Sequence, residues 1–185
     1  TPLYSSAASD VYKRQAQYAP LASAFDWLVG AGLALRVPII KSAIPPLNPR
    51  VKEGFSKFYL HDVGLLGALA DIAVDGILNF DFSNFKGYFA ENFVAQELIA
   101  KDIRSLYCWR EGSSEVEFIL DKGSFALPIE VKSGNFRHAK SLRVFMERYN
   151  PKKGVMLVGE SRGEYSQNRV TVLPIYCAGL ISNFF

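Results

Sequence analysis

Two cysteines, two methionines, two histidines and two tryptophans are all that 185 residues hold of those types. Cys108 and Cys177 lie far apart and match no C-x-x-C or Cys/His pattern. That excludes a disulfide framework and a zinc site, and leaves two structural thiols of a cytoplasmic protein as the expectation. No apolar run reaches the ~18 residues of a membrane span. The opening residues lack the charged-then-apolar pattern of a signal peptide. No G-x-x-x-x-G-K-[ST] occurs, so this chain does not bind ATP in the P-loop manner. No serine has the nearby histidine and acid of a hydrolytic triad. An excess of one charge is lacking too. Twenty-one Lys and Arg face eighteen Asp and Glu, a formal +3, which argues neither for nor against nucleic-acid binding. Internal repeats and low-complexity tracts are absent.

Apolar residues, by contrast, are plentiful. The chain is 49% hydrophobic, 14% aromatic and 21% charged, the balance of a globular protein. Its length suits one domain, or one domain plus part of another.

Residues 1–15 stand apart. Ser5 to Gln15 has no apolar periodicity. It resembles the in-frame translation of a transposase-based sequencing adaptor; its end, VYKRQ, is what gtg-tat-aag-aga-cag encodes. Residues 1–15 are therefore left out of the fold reasoning as an artefact or polar tail. On this expectation the natural protein is truncated before Ala16.

Residues 19–31 read as a helix, with Leu21, Phe25 and Leu28 at i, i+4 and i+7 and Gly30 and Gly32 at its end. A strand follows over Leu33 to Ile40, with Pro38 marking an edge or a break. Residues 41–54 hold three prolines and read as loop. Lys57 to Leu60 is a short strand, and Asp62 sits where the N-cap of a helix over Val63 to Ala70 belongs. Helix, strand, loop and strand over residues 16–70 suggest a partial winged-helix-like segment, whose first strand is expected to be left with an unpaired edge. Residues 71–86 read as a linker.

From Gly87 the pattern sharpens. Gly87 to Lys101 is helical, with Phe89, Phe93, Val94, Leu98 and Ile99 almost all the way round the wheel, as in a buried helix. Tyr107 to Arg110 reads as a strand. Glu115 to Leu120 and Phe125 to Lys132 form a hairpin through Asp121, Lys122, Gly123 and Ser124. Ala139 to Tyr149 is an amphipathic helix with Leu142, Phe145, Met146 and Tyr149 on one face. Gly154 to Val158 is a strand covered on both faces. Val170 to Leu173 is a last strand and Ile175 to Ile181 a last helix. The order makes residues 71–185 a mixed α/β domain.

Alternation along the hairpin carries the chemistry. Val116, Phe118 and Leu120 share one face, and Phe125, Leu127, Ile129 and Val131 share another. Pairing Leu120 with Phe125, Phe118 with Leu127 and Val116 with Ile129 makes those faces coincide. The opposite faces then gather Glu115, Glu117, Glu130 and Lys132. Glu117 falls one diagonal step from Glu130, roughly 5–8 Å away. Clustered carboxylates raise one another's pKa, and Mg²⁺ or Mn²⁺ relieves that cost. A lysine beside them can stabilise charge on an attacked phosphate or orient a water. The alternative is a solvated face of Glu–Lys pairs worth a few tenths of a kcal/mol. Glu91, on the preceding helix, falls about 20° from Leu98 on the wheel. It therefore faces packed protein and needs a partner.

A helix acid, a strand acid, E-x-K on the next strand and then a helix resemble the restriction-endonuclease-like, PD-(D/E)XK nuclease superfamily. KFYLHDVGLLGAL (57–69), GYFAENFVAQEL (87–98), LYCWREGSSEVEFIL (106–120) and PIEVKSG (128–134) resemble the C-terminal part of a large group of prokaryotic AAA-type ATPases. In that group a P-loop domain precedes a winged helix and a nuclease-like domain of unknown function. The resemblance implies a restriction-endonuclease-like mixed sheet flanked by helices. It assigns Glu91, Glu117 and Glu130 to a Mg²⁺ or Mn²⁺ ion and Lys132 to the attacking water. The strand acid, usually Asp in that family, is Glu117 here. ATP would enter only through a missing N-terminal ATPase domain.

Arg137, His138, Lys140 and Arg143 gather at the start of the helix after E-x-K. They form a solvated face or a phosphate-contacting patch. Trp109 beside Arg110 is a core aromatic or a base-stacking one. Two functional readings follow: a metal-dependent phosphodiesterase acting on nucleic acid, or the same fold without turnover as a nucleic-acid- or protein-docking module of an ATPase. A plain α/β scaffold is a third. No membrane partner is expected, and an oligomer is compatible with the sequence.

Overall fold

The computed structural model describes residues 21–72, 75, 85–103, 105–134, 139–159, 165–167 and 169–181. The adaptor-like stretch and most of the expected linker lie outside them.

Eight strands form one mixed sheet in the order β2-β1-β3-β4-β5-β6-β8-β7. Helix α1 covers residues 21–30. Strands β1 (Ala34–Ile40) and β2 (Val51–Leu60) follow, then α2 (Val63–Leu69) and α3 (Lys86–Ala100). Next come β3 (Leu106–Glu111), β4 (Ser114–Asp121), β5 (Ala126–Lys132) and α4 (Lys140–Tyr149). Strands β6 (Gly154–Val158), β7 (Tyr165–Gln167) and β8 (Val170–Pro174) complete the sheet, and a 3-10 turn over Ile175–Leu180 follows. The centre is mixed: β3–β4 and β4–β5 are antiparallel, while β5–β6 and β6–β8 are parallel.

Helix α3 packs on one side. Its Val94, Ala95 and Leu98 join Phe118, Leu127, Ile129 and Val131, with Ala178 and Ile181 closing over them. From Ala90 to Ile99 no residue of α3 is exposed, the burial that its all-round apolar wheel predicts. Helix α4 packs on the other side. Phe145 meets Trp109 edge-on at 5.2 Å, and Leu142 and Met146 cover Met156 and Val158. The two faces thus bury two clusters against a single sheet, the layering of an α/β domain.

Several expectations change. The strand after the proline-rich loop begins at Val51 and runs ten residues, not four. Gly54 lies within it at φ +75°, a conformation open to glycine in an otherwise extended run. Strand β1 pairs with β2 along one side and, at Ile39 and Ile40, with β3 on the other. Pro38 marks the break of the two alternatives, a register shift against β2. The segment 16–70 therefore adds β1 and β2 to the same sheet as the strands after residue 71. Asp62 does cap α2, accepting the Leu65 N–H at 2.8 Å. The last helix is a 3-10 turn, and β7 is an additional strand.

The hairpin register slides by two residues. Phe118 faces Ile129, Leu120 faces Leu127 and Asp121 faces Ala126. Asp121 remains in the strand because its carboxylate accepts the Leu47 N–H and the Gly123 N–H, each at 2.8 Å. The turn is closed by Lys122 N–H to Phe125 O at 3.0 Å, with Gly123 at φ +73°. The face expected for Val116, Phe118 and Leu120 is broken as well. Tyr107 pairs with Ile119 but Trp109 pairs with Val116, so β4 carries one extra residue at Glu117–Phe118. This β-bulge sends Val116 to the α4 side with Trp109 and Ile119, while Phe118 and Leu120 remain on the α3 side.

Candidate active site

The bulge lies where β4 and β5 part. Their ladder ends at Phe118 and Ile129, and the next step of the same register sets Glu117 across from Glu130. There the Glu117 carboxylate, not a backbone carbonyl, accepts the Val131 N–H, at 3.0 Å. Glu117 is 9% exposed and Glu130 1%. Lys132, two residues along the same strand, donates to Glu130 Oε1 at 2.5 Å. Glu130 Oε2 is buried and has no hydrogen-bond partner among the described residues.

A second carboxylate pair lies beside the first. Asn92 of α3 accepts the Leu60 N–H at 2.8 Å and donates to the Leu60 carbonyl at 3.0 Å, gripping the end of β2. That grip sets Glu91, one residue earlier, over the β2 face that carries Lys57 and Tyr59. Lys57 Nζ donates to Glu91 Oε2 at 2.6 Å and to Glu115 Oε1 at 2.7 Å. The Tyr59 hydroxyl donates to the same Glu91 oxygen at 3.0 Å. Arg110 closes the group with an ion pair to Glu115 Oε2.

The electrostatics divide the two pairs. Burial pushes Glu117 up to about 8; the Glu130 charge adds to this, and the N–H groups of Val131 and Glu117 oppose it. Burial raises Glu130 too, against the pull of Lys132. In the other pair, burial would raise Glu115, but the Lys57 hydrogen bond and charge, with Arg110, leave it below the usual carboxylate range. Burial alone would lower Lys57; Tyr59, Glu91 and Glu115 outweigh it and hold the ammonium above the usual lysine value. Burial raises the Tyr59 hydroxyl, and the Glu91 charge raises it further. Burial likewise pushes the thiol of the buried Cys108 up to about 12, which favours the thiol over the thiolate.

Glu91, Glu117, Glu130 and Lys132 therefore share one neighbourhood, with the Glu91 charge felt by the other three. Yet no three Asp, Glu, His or Cys among the described residues stand ready to hold a metal ion. Each acid is engaged: Glu91 by Lys57, Glu117 by the Val131 N–H, Glu130 by Lys132. Glu117 and Glu130 are the most buried of these acids; the Glu130 charge raises Glu117, and Glu130 Oε2 has no hydrogen-bond partner among the described residues.

Of the basic patch, Arg137 and His138 lie outside the described residues. Lys140 and Arg143 are exposed on the first turn of α4, and Arg143 approaches Glu147 at 3.9 Å. Ser141 Oγ, between them in sequence, accepts the Glu115 N–H at 3.3 Å, which ties that turn to the site. Trp109 is fully buried and donates to the Tyr149 hydroxyl at 3.1 Å; it is a core aromatic with no face for a base. Lys57, Tyr59 and Arg110 were not among the expected site residues. The signal for the first two is a lysine and a tyrosine two apart near the end of one strand, hence on one face.

No helix among the described residues is long and apolar enough to cross a membrane. Residues 86–178 match the family described as a domain of unknown function, DUF4143. No curated protein and no solved structure matches the chain.

Proposed function

The chain belongs to the DUF4143 family, and we propose from that premise that its sheet carries a restriction-endonuclease-like site for a divalent cation and a nucleic-acid phosphodiester. The observation that carries this reading is Glu130: a carboxylate 1% exposed whose Oε2 has no partner among the described residues, set against the buried Glu117. Glu117 and Glu130 hold Mg²⁺ or Mn²⁺ through their oxygens, and Glu91 assists. When bound, the cation supplies Lewis-acid polarisation of the phosphate. Lys132 keeps its proton and presents an ammonium to the charge that develops there, or orients the attacking water. Lys140 and Arg143, with Arg137 and His138, hold the backbone of the nucleic acid. The chain serves a cytoplasmic AAA-type ATPase whose own N-terminal domain binds ATP, and β1 and β2 correspond to the end of a winged-helix-like segment.

Titration with Mg²⁺ and Mn²⁺ tests the metal site. The melting temperature of the wild type rises and that of Glu130→Gln does not; no rise in the wild type removes the reading. Cleavage of DNA and RNA by the wild type against Lys132→Ala tests turnover. Equal cleavage by both, or none by either, removes catalysis.

A second reading rests on the same pocket of charge. Lys57 and Arg110 already neutralise Glu91 and Glu115. Glu117, where the resembled family has Asp, shifts its carboxylate by about an ångström, enough to weaken octahedral Mg²⁺. Both features suit a docking module that binds nucleic acid or protein for the ATPase without cleaving.

A further inference from the structure

Strands β5, β6 and β8 lie side by side and run parallel. Their carboxyl ends open onto one cavity of about 620 Å³, lined by Ser133, Gly159 and Ile175, the residues just past each strand. Crevices at such ends are where open α/β sheets hold ligands, and the volume suits a small organic group. Gly159 lets two of the ends meet. A Cβ there would lie 2.3 Å from the Ser133 carbonyl oxygen, and the Gly159 N–H donates to the Lys132 carbonyl at 2.9 Å. Helix α3 adds Phe93 to the wall and, from its first residue, Lys86. Tyr176 lines the cavity while 69% exposed, so it stands at the rim. Lys86 is exposed, is the only charged liner among the described residues, and pairs with no carboxylate among them. The larger cavity, of about 870 Å³, differs: its Lys57 and Arg110 are already matched by Glu91 and Glu115.

We propose that this cavity takes one unpaired nucleotide of a single-stranded nucleic acid, its base against Tyr176 and Phe93 and its phosphate against Lys86. The proposal rests on the nucleic-acid reading above and names the substrate as single-stranded. An aromatic rim, an apolar wall and one unmatched cation suit a flat base that carries an anion. The ring stacks on any base, and the ammonium holds the phosphate. A base inside a duplex is already stacked and paired, and it reaches such a cavity only by being turned out of the helix. The position fits as well. Ser133 and Gly134 follow Lys132 directly, so a strand seated in the cavity passes the end of the E-x-K strand.

Fluorescence anisotropy tests this with labelled oligothymidylate and oligoadenylate of about 12 nucleotides, within the range of single-strand site sizes, and with the duplex the two form. The full chain is used in EDTA, where neither metal nor turnover enters. Single strands are expected to bind the wild type about tenfold or more tightly than the duplex. Tyr176→Ala weakens single-strand binding about tenfold, and Tyr176→Trp, which keeps a stacking ring, restores it to within about twofold. Lys86→Gln lowers the slope of log Kd against log salt by about 0.7 for single strands. A tyrosine that only shaped the fold would affect single strand and duplex alike. Equal binding of the two forms, or single-strand binding by Tyr176→Ala at the wild-type level, overturns the proposal and leaves the nucleic-acid reading standing. Binding of neither form by the wild type overturns both. AMP that binds as tightly as the oligonucleotide marks a free-nucleotide pocket and overturns the single-strand assignment. Should Tyr176→Ala not fold, Lys86→Gln decides: an unchanged salt slope overturns the proposal.

Discussion

Two carboxylate pairs lie side by side in this protein, and they are balanced in opposite ways. Glu91 and Glu115 have Lys57 between them, Arg110 on the outer oxygen of Glu115 and the Tyr59 hydroxyl on Glu91. Glu117 and Glu130 are more deeply buried and, among the described residues, have Lys132 and the N–H groups of Val131 and Glu117 to balance them. Among the described residues the first pair has as many cations as acids, and the second is one cation short. Burial magnifies the difference, because an unpaired charge costs more where water cannot reach it. A structural ion-pair network resembles the first pair. A site that gains by taking up a cation, or a proton, resembles the second.

Breaking the saturated pair has the largest expected effect. Lys57→Ala leaves two half-buried carboxylates without their shared cation and lowers stability by about 2–3 kcal/mol, between surface and buried ion-pair values. Urea unfolding measures it; a loss under about 0.5 kcal/mol would mean that the pair is solvated and the contrast is false.

The two pairs should also respond to pH with opposite sign. Glu117 has a folded-state pKa above its ordinary 4.5, at about 8. Its protonated form is favoured by folding, so its contribution is present below pH 4.5 and is lost as pH rises toward about 8. Glu115 is lowered, so its contribution is present above the ordinary carboxyl range and is lost as pH falls through its folded value. In metal-free buffer, Glu117→Gln is expected to flatten the decline of the urea midpoint between about pH 5 and 8, by roughly 1–2 kcal/mol. Glu115→Gln steepens nothing in that window and removes the acid limb instead. Identical profiles for the two variants would refute the contrast.

Smaller changes sharpen it. Tyr59→Phe removes one hydrogen bond to Glu91 and is expected to cost about 1 kcal/mol. Arg110→Ala, whose side chain is 54% exposed, costs about 0.5 kcal/mol or less, and that cost fades in salt. A larger loss at Arg110 than at Tyr59 would place the strength of the pair at the surface instead of the interior.

Legibility in the sequence followed the range of the interaction. Asp62 capping Leu65, the all-round apolar α3 and the one-sided α4 are local patterns, and each element stands where its pattern predicts. The E-x-K strand was equally legible, because Glu130 and Lys132 share a face two residues apart and pair across it. The demand of Glu91 for a partner could be read from its angle to Leu98, but the partner itself could not. Lys57 lies 34 positions away, and only the grip of Asn92 on Leu60 brings β2 under α3. The long β2 was hidden by the prolines before it, whose turn ends at Arg50 and not beyond.

Composition and periodicity alone determined that the chain would bury helices on both sides of strands, and that the acids would sit on and beside one hairpin. The tertiary structure decided what those acids face. The bulge at Glu117–Phe118 exists because β4 must pair with β3 and β5 at once in different registers. No strand alternation within β4 could announce it. One extra residue in one strand turns Val116 to the other side of the sheet and leaves Glu117 at the parting of two strands, opposite Glu130. The number of cations each acid receives is a property of three-dimensional neighbours, since charges act through distance and burial, not through order along the chain.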